Sequence, residues 1–77
     1  MNQLCGLVAE ILGVDVGEVN PETGPLVLPP WDSLNHMRLV AAIEETYCVQ
    51  LTTDEITNVL SVSDFATLLR ERGVRVD

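Results

Sequence analysis

A chain of 77 residues has room for one small domain, expected to span residues 1–77, and a domain of this size buries only about 60% of its unfolded surface. Twelve acidic residues face four arginines and no lysine, for a net charge of -8. Such a surface disfavours nucleic acid and anionic membrane as partners and favours proteins with basic patches.

The charge is uneven. Residues 1–69 hold ten acids and only Arg38, a net of -9, whereas residues 70–77 carry Arg70, Arg72 and Arg75 against Glu71 and Asp77. Leu4, Leu7, Val8, Ile11 and Leu12 follow the i, i+3, i+4, i+7 rhythm of an amphipathic helix over residues 3–12. Gly6 weakens it and Gly13 stands where it should stop. Residues 13–32 hold four prolines and three glycines and read as an ordered loop with a short turn around 16–19. Its apolar residues Val14, Val16, Val19, Leu26, Val27 and Leu28 are expected to pack back on the core.

A second helix is expected from residue 33 to about 47, with Asp32 as N-cap and Pro29-Pro30 precluding helix before it. Thr52-Thr53-Asp54-Glu55 is a capping box for a short third helix near 53–59, with Leu51 and Ile56 as its hydrophobic staple. Ser61-Val62-Ser63-Asp64 repeats the pattern with aspartate, with Leu60 and Phe65 as the staple. The fourth helix then runs to about Arg72, and Gly73 ends it. The expected fold is all-α, a four-helix bundle with a long first loop and a short third helix.

Wound at about 100° per residue, the second helix has two apolar strips. Leu39, Val40, Ile43 and Tyr47 face the core, with His36 on the same side. Leu34, Met37 and Ala41, edged by Arg38, Glu44 and Glu45, face outward and form a candidate docking surface for another protein. Scattered exposed apolar residues are also common on monomeric proteins.

Chemistry of the usual enzymatic kinds is poorly served. His36 is the only histidine, and with Cys5 and Cys48 it matches no zinc pattern. No acidic loop has EF-hand spacing. Ser33 is expected to point outward and His36 inward, which leaves no nucleophile–base pair. No run approaches the roughly 20 apolar residues that span a bilayer and no secretory signal opens the chain, so a cytoplasmic protein with both thiols reduced is expected.

Asp32-Ser33-Leu34 at the start of the second helix resembles the motif of acyl carrier proteins, whose serine receives 4′-phosphopantetheine from coenzyme A. The likeness continues through Leu39-Val40, Ile43-Glu44-Glu45, Tyr47 and Val62-x-Asp64, and it covers nearly the whole chain. It implies a four-helix carrier fold and attachment of the arm at Ser33, with Asp32 supporting that reaction. It also implies acyl intermediates held as thioesters, with no catalysis by the carrier itself. Implied partners are a phosphopantetheinyl transferase, an acyl-loading enzyme, and acyltransferase- or ketosynthase-type enzymes. These would meet a monomer at Leu34, Met37, Arg38, Ala41, Glu44 and Glu45.

The departures are as informative. Fatty-acid carriers usually have acids where this chain has Asn35 and Arg38, so docking to enzymes built for them should weaken. WDSLNHMRLV is similar to discrete carriers of polyketide and other specialised-metabolite pathways, antibiotic biosynthesis included, some of them loaded with a glycerol-derived three-carbon unit. A start at Met1 and an end just past the fourth helix fit a free-standing carrier. Cys48 replaces the family's usual glycine. A left-handed backbone would strain it by about 1 kcal/mol, so a different helix end and a buried or inert thiol are expected. His36 either fills a half-buried position, the favoured reading, or lines the mouth of an acyl pocket. Two other readings stay open. A peptidyl or aminoacyl carrier more often shows Gly-Gly-(His/Asp)-Ser, which Pro-Pro-Trp-Asp does not resemble. An unmodified acidic adaptor would be indifferent to Ser33.

Overall fold

The computed structural model describes residues 2–76. Its helices are α1 (Asn2–Leu12), α2 (Ser33–Tyr47), α3 (Thr53–Asn58) and α4 (Val62–Glu71), with a single 3-10 turn at Val16–Glu18 and no strand among the described residues. The expected all-α architecture is present, with the long first loop and the short third helix.

One apolar core joins three of the four helices. Leu4, Val8 and Leu12 of α1 meet Leu39, Val40 and Ile43 of α2 and Val62, Phe65, Ala66 and Leu69 of α4. These are the positions that helical periodicity assigns to inner faces. α3 contributes no buried residue. Trp31 and Val19 from the first loop, with Leu51 and Val59 from either side of α3, complete the interior.

Three helices end the same way. The amide of Val14 donates to Ala9 O, that of Val49 to Glu44 O and that of Val74 to Leu69 O, at 3.0, 3.1 and 3.0 Å. This six-to-one bond needs a left-handed residue just before the valine, and the three are Gly13 (φ 71°), Cys48 (φ 55°) and Gly73 (φ 79°). Each valine folds back onto the core. The expectation that α2 ends differently because of Cys48 is therefore overturned: satisfying the Glu44 carbonyl and packing Val49 outweigh the strain of one Cβ. Cys48 is exposed rather than buried.

The first loop is ordered by α4. Val62 and Ser63, whose amides lack helical partners, donate to Thr23 O at 2.9 Å and Pro21 O at 2.8 Å. Gly24 then passes so close to Leu60 that a Cβ on it would lie 1.9 Å from the Leu60 carbonyl oxygen. Val19 is buried, and Val14 and Leu28 pack partly on the core. Val16, Leu26 and Val27 do not: they are 57%, 91% and 69% exposed, against expectation. The turn at Gly24, which accepts from the amides of both Val27 and Leu28, carries Leu26 and Val27 outward.

The two capping patterns also diverge. At α3, Thr52 and Glu55 exchange bonds as a full box. At α4, Ser61 Oγ accepts from the Asp64 amide, but Asp64 Oδ2 accepts from the Leu60 amide at 2.8 Å, one residue before the cap. With the Leu60 backbone held there and against Gly24, its side chain is 64% exposed. The expected Leu60–Phe65 staple is absent.

Candidate functional site

α2 begins where it does because Asp32, extended at φ -101°, accepts from the Asn35 amide at 2.9 Å through its side chain. Its carbonyl takes the His36 amide at 2.8 Å, and the Asn35 side chain donates back to Pro30 O at 2.7 Å. Of the four amides at this helix start that lack a helical partner, that of Asn35 is settled by the Asp32 side chain and that of Asp32 by Pro30 O at 3.0 Å. The amides of Ser33 and Leu34 have no partner among the described residues. Ser33 is exposed at the first helical position. A group esterified there would lie beside two free N–H donors and the positive end of a 15-residue helix, both favourable to an anion.

An open groove of about 460 Å³ begins at Ser33. The loop and the start of α2 supply Pro25, Trp31, Asp32, Ser33, His36 and Met37. Ile56 and Thr57 of α3, with Val59 and Leu60 after it, supply the rest. The lining is largely apolar with a few polar groups, as in small-molecule sites generally.

His36 was expected to face away from Ser33, yet both line this groove. One turn of helix separates them, too little to put them on opposite sides. His36 is half-buried, as the favoured reading had it, and it also borders the groove. Its Nδ1 accepts from Trp31 Nε1 at 2.9 Å, and its Nε2 lies 2.9 Å from Ile56 O. Trp31, His36 and Phe65 stack with ring centroids 5.8 to 6.2 Å apart. With both ring nitrogens engaged, no lone pair is left to activate the Ser33 hydroxyl.

The outer face of α2 carries Leu34 and Met37, 64% and 54% exposed, with Arg38, Ala41 and Glu45 also exposed. Glu44 differs: it is half-buried, and its Oε2 accepts from the Leu51 amide at 2.8 Å. Its carboxylate closes the α2–α3 turn. Exposed Leu26, Val27 and Leu60 were not singled out as surface candidates. Leu26 and Val27 lie between Gly24-Pro25 and Pro29-Pro30, where turn chemistry was the available signal. No group of acids, cysteines and histidine among the described residues could hold a metal ion. No helix of the described residues is long and apolar enough to cross a membrane.

A bundle that offers one exposed hydroxyl at a helix start, with an open groove beside it, is suited to bearing a tethered group. Residues 2–69 match the family described as Phosphopantetheine attachment site, and the chain belongs to that family. The group is 4′-phosphopantetheine, held covalently. The residues fit it: an exposed hydroxyl, two unpartnered amides suited to a phosphodiester and an open groove of about 460 Å³ beside them.

Proposed function

We propose that residues 1–77 act as one acyl carrier domain, with the arm esterified to Ser33 and acyl intermediates held on its thiol as thioesters. The observation that carries this reading is the exposed Ser33 hydroxyl at the start of α2, beside two unpartnered amides and the groove. When bound, the arm supplies a thiol for thioester chemistry, and tethering raises the effective concentration of the acyl group at each partner's active site. The chain's own residues position and recognise. Asp32 holds the start of α2 and supports attachment by a phosphopantetheinyl transferase acting on coenzyme A. Leu34, Met37, Arg38, Ala41 and Glu45 present the docking face, to which Glu44 adds its second carboxylate oxygen.

The pathway is polyketide or related specialised-metabolite biosynthesis, in the cytoplasm, with the chain a monomer between encounters. Supporting this are the resemblance carried by WDSLNHMRLV and the presence of Arg38 on the docking face. Partners are the transferase, an acyl-loading enzyme, and acyltransferase- or ketosynthase-type enzymes. Docking of this kind is weak and quick to release, which suits a small apolar strip with electrostatic steering.

The test is intact mass before and after incubation with coenzyme A and a promiscuous phosphopantetheinyl transferase. A gain of one phosphopantetheine that Ser33→Ala abolishes is expected. No gain in folded, initially unmodified protein would refute the assignment of Ser33 and favour an unmodified adaptor.

A further inference from the structure

α3 is six residues long and buries none of them, so little in its own sequence holds it in place. Ile56 packs partly against the core, and the other attachments of α3 are polar. Arg72, the C-cap of α4, pairs with the Glu55 carboxylate and donates to Gln50 O. On the groove side the bond is His36 Nε2 to the Ile56 carbonyl. Ile56 O otherwise accepts only from the Val59 amide, at a long 3.4 Å.

The tautomer of His36 follows from its partners. The indole Nε1–H of Trp31 donates only, so Nδ1 is the unprotonated acceptor. The proton of the neutral ring then sits on Nε2, where the Ile56 carbonyl, an acceptor only, receives it. One imidazole therefore joins the first loop, the start of α2 and α3, and each of those three elements walls the groove. An imidazolium has no acceptor. A proton added at Nδ1 takes up the lone pair that holds Trp31 and sets two N–H groups against each other.

We infer that His36, as its neutral Nε2–H tautomer, is a strap that holds Trp31 and α3 at the walls of the groove beside Ser33, and that protonation at Nδ1 releases it. Few other charges act on the ring. Asp32 is the one other titratable side chain lining the groove. On the elements packed around His36, Asp54, Glu55 and Asp64 line a separate groove between α3 and α4. Arg38 lies exposed on the outer face of α2. The strap belongs to the unmodified protein. Its consequence, that acidification changes how firmly arm and cargo are held, rests on the assignment of Ser33.

Trp31 and His36 are the only residues of their kinds, so both report without ambiguity. The experiment is NMR on protein labelled with nitrogen-15 in the imidazole and indole rings and the amides, titrated from pH 8 to 5 with Trp31 fluorescence in parallel. The strap predicts the Nε2–H tautomer at pH 8 and a Trp31 emission change that tracks His36 protonation. It also predicts α3 amides exchanging about tenfold faster after correction for intrinsic rates, the equivalent of one net hydrogen bond, while α1 and α4 stay protected. His36→Gln is the conservative rescue, since an amide can accept from Trp31 and donate to Ile56 O. It should keep α3 protected and erase the pH step. An Nδ1–H tautomer, a Trp31 signal indifferent to His36 protonation, or the same step in the glutamine variant would each overturn the strap. The wild-type tautomer decides even if the variant fails to fold. None of these readings depends on the arm, so failure of the strap and failure of attachment at Ser33 are told apart by separate measurements.

Discussion

Replacing Cys48 with glycine should stabilise the protein, and the size of the gain can be worked from the backbone. Cys48 sits at φ 55° and ψ 46° because the bond from the Val49 amide to Glu44 O requires a left-handed residue between them. A Cβ in that conformation costs about 1–2 kcal/mol. Glycine removes the cost but leaves the unfolded chain freer, which returns about 0.4–1 kcal/mol. The side chain is exposed and makes only a 3.9 Å contact from Sγ to Glu45 O, so little else is lost. The net gain is about 0.5–1 kcal/mol. At about 2.1 cal/mol/K of unfolding entropy per residue, 77 residues give roughly 0.16 kcal/mol/K, hence a rise in Tm of about 3–6 °C. Thermal unfolding by circular dichroism measures it, with Cys48→Ala as the control that keeps a Cβ. An unchanged Tm in the glycine variant, or an equal rise in the alanine variant, would refute the argument from backbone strain.

The remaining predictions concern other joints of the fold. Gly24→Ala should lose about 2–3 kcal/mol in urea denaturation, because its Cβ would meet the Leu60 carbonyl, which is fixed backbone; a loss under about 0.5 kcal/mol would contradict the close approach. In the native protein a thiol reagent at mild alkaline pH should modify exposed Cys48 readily and Cys5 slowly, since burial raises the Cys5 pKa; equal rates would show that α1 opens. The hydrogen bond from Arg72, then that from the Thr52 amide, lowers the Glu55 pKa below its ordinary 4.5. The unfolded state therefore binds the proton first on acidification, so this contribution is present above about pH 4.5 and lost as pH falls through the depressed value. Glu55→Gln should be less stable at pH 7 and lose less on acidification below pH 4.5; an acid limb identical to that of wild type would remove Glu55 from the account.

Where local chemistry decides an element, its bounds are legible from residues alone. Gly13 and Gly73 stop α1 and α4, and Asp32, Thr52 and Ser61 start α2, α3 and α4, because caps and left-handed glycines act within a few residues. What escaped such reading depends on distant parts of the chain. Leu60 looked like half of a staple until Gly24, 36 residues earlier, fixed its backbone. Leu26 and Val27 looked like core, but the tight turn at Gly24 leaves only Leu28 within reach of it. At the site, Ser33 and its helix start were readable, and so was the outer strip of α2. The groove was not, since Ile56, Thr57, Val59 and Leu60 of its lining come from α3 and the turn after it, whose approach to His36 no periodicity encodes.

The distribution of these forces suits a carrier. Side chains from α1, α2 and α4 fill the core, and removing Phe65 to alanine there should cost about 3–5 kcal/mol. α3 buries no residue fully and is held more lightly, by the partly buried Ile56, by the Arg72–Glu55 pair and by the bond from His36 to the Ile56 carbonyl. Local opening therefore starts at α3, well below the free energy of global unfolding. That places the most easily moved wall of the molecule beside Ser33, while α2, which presents Ser33 and the exposed strip of Leu34 and Met37, is anchored through Leu39, Val40 and Ile43. A carrier has to meet several enzymes with one rigid face and still let an arm and its cargo enter and leave. A firm α2 and a lightly tethered α3 meet both demands within 77 residues.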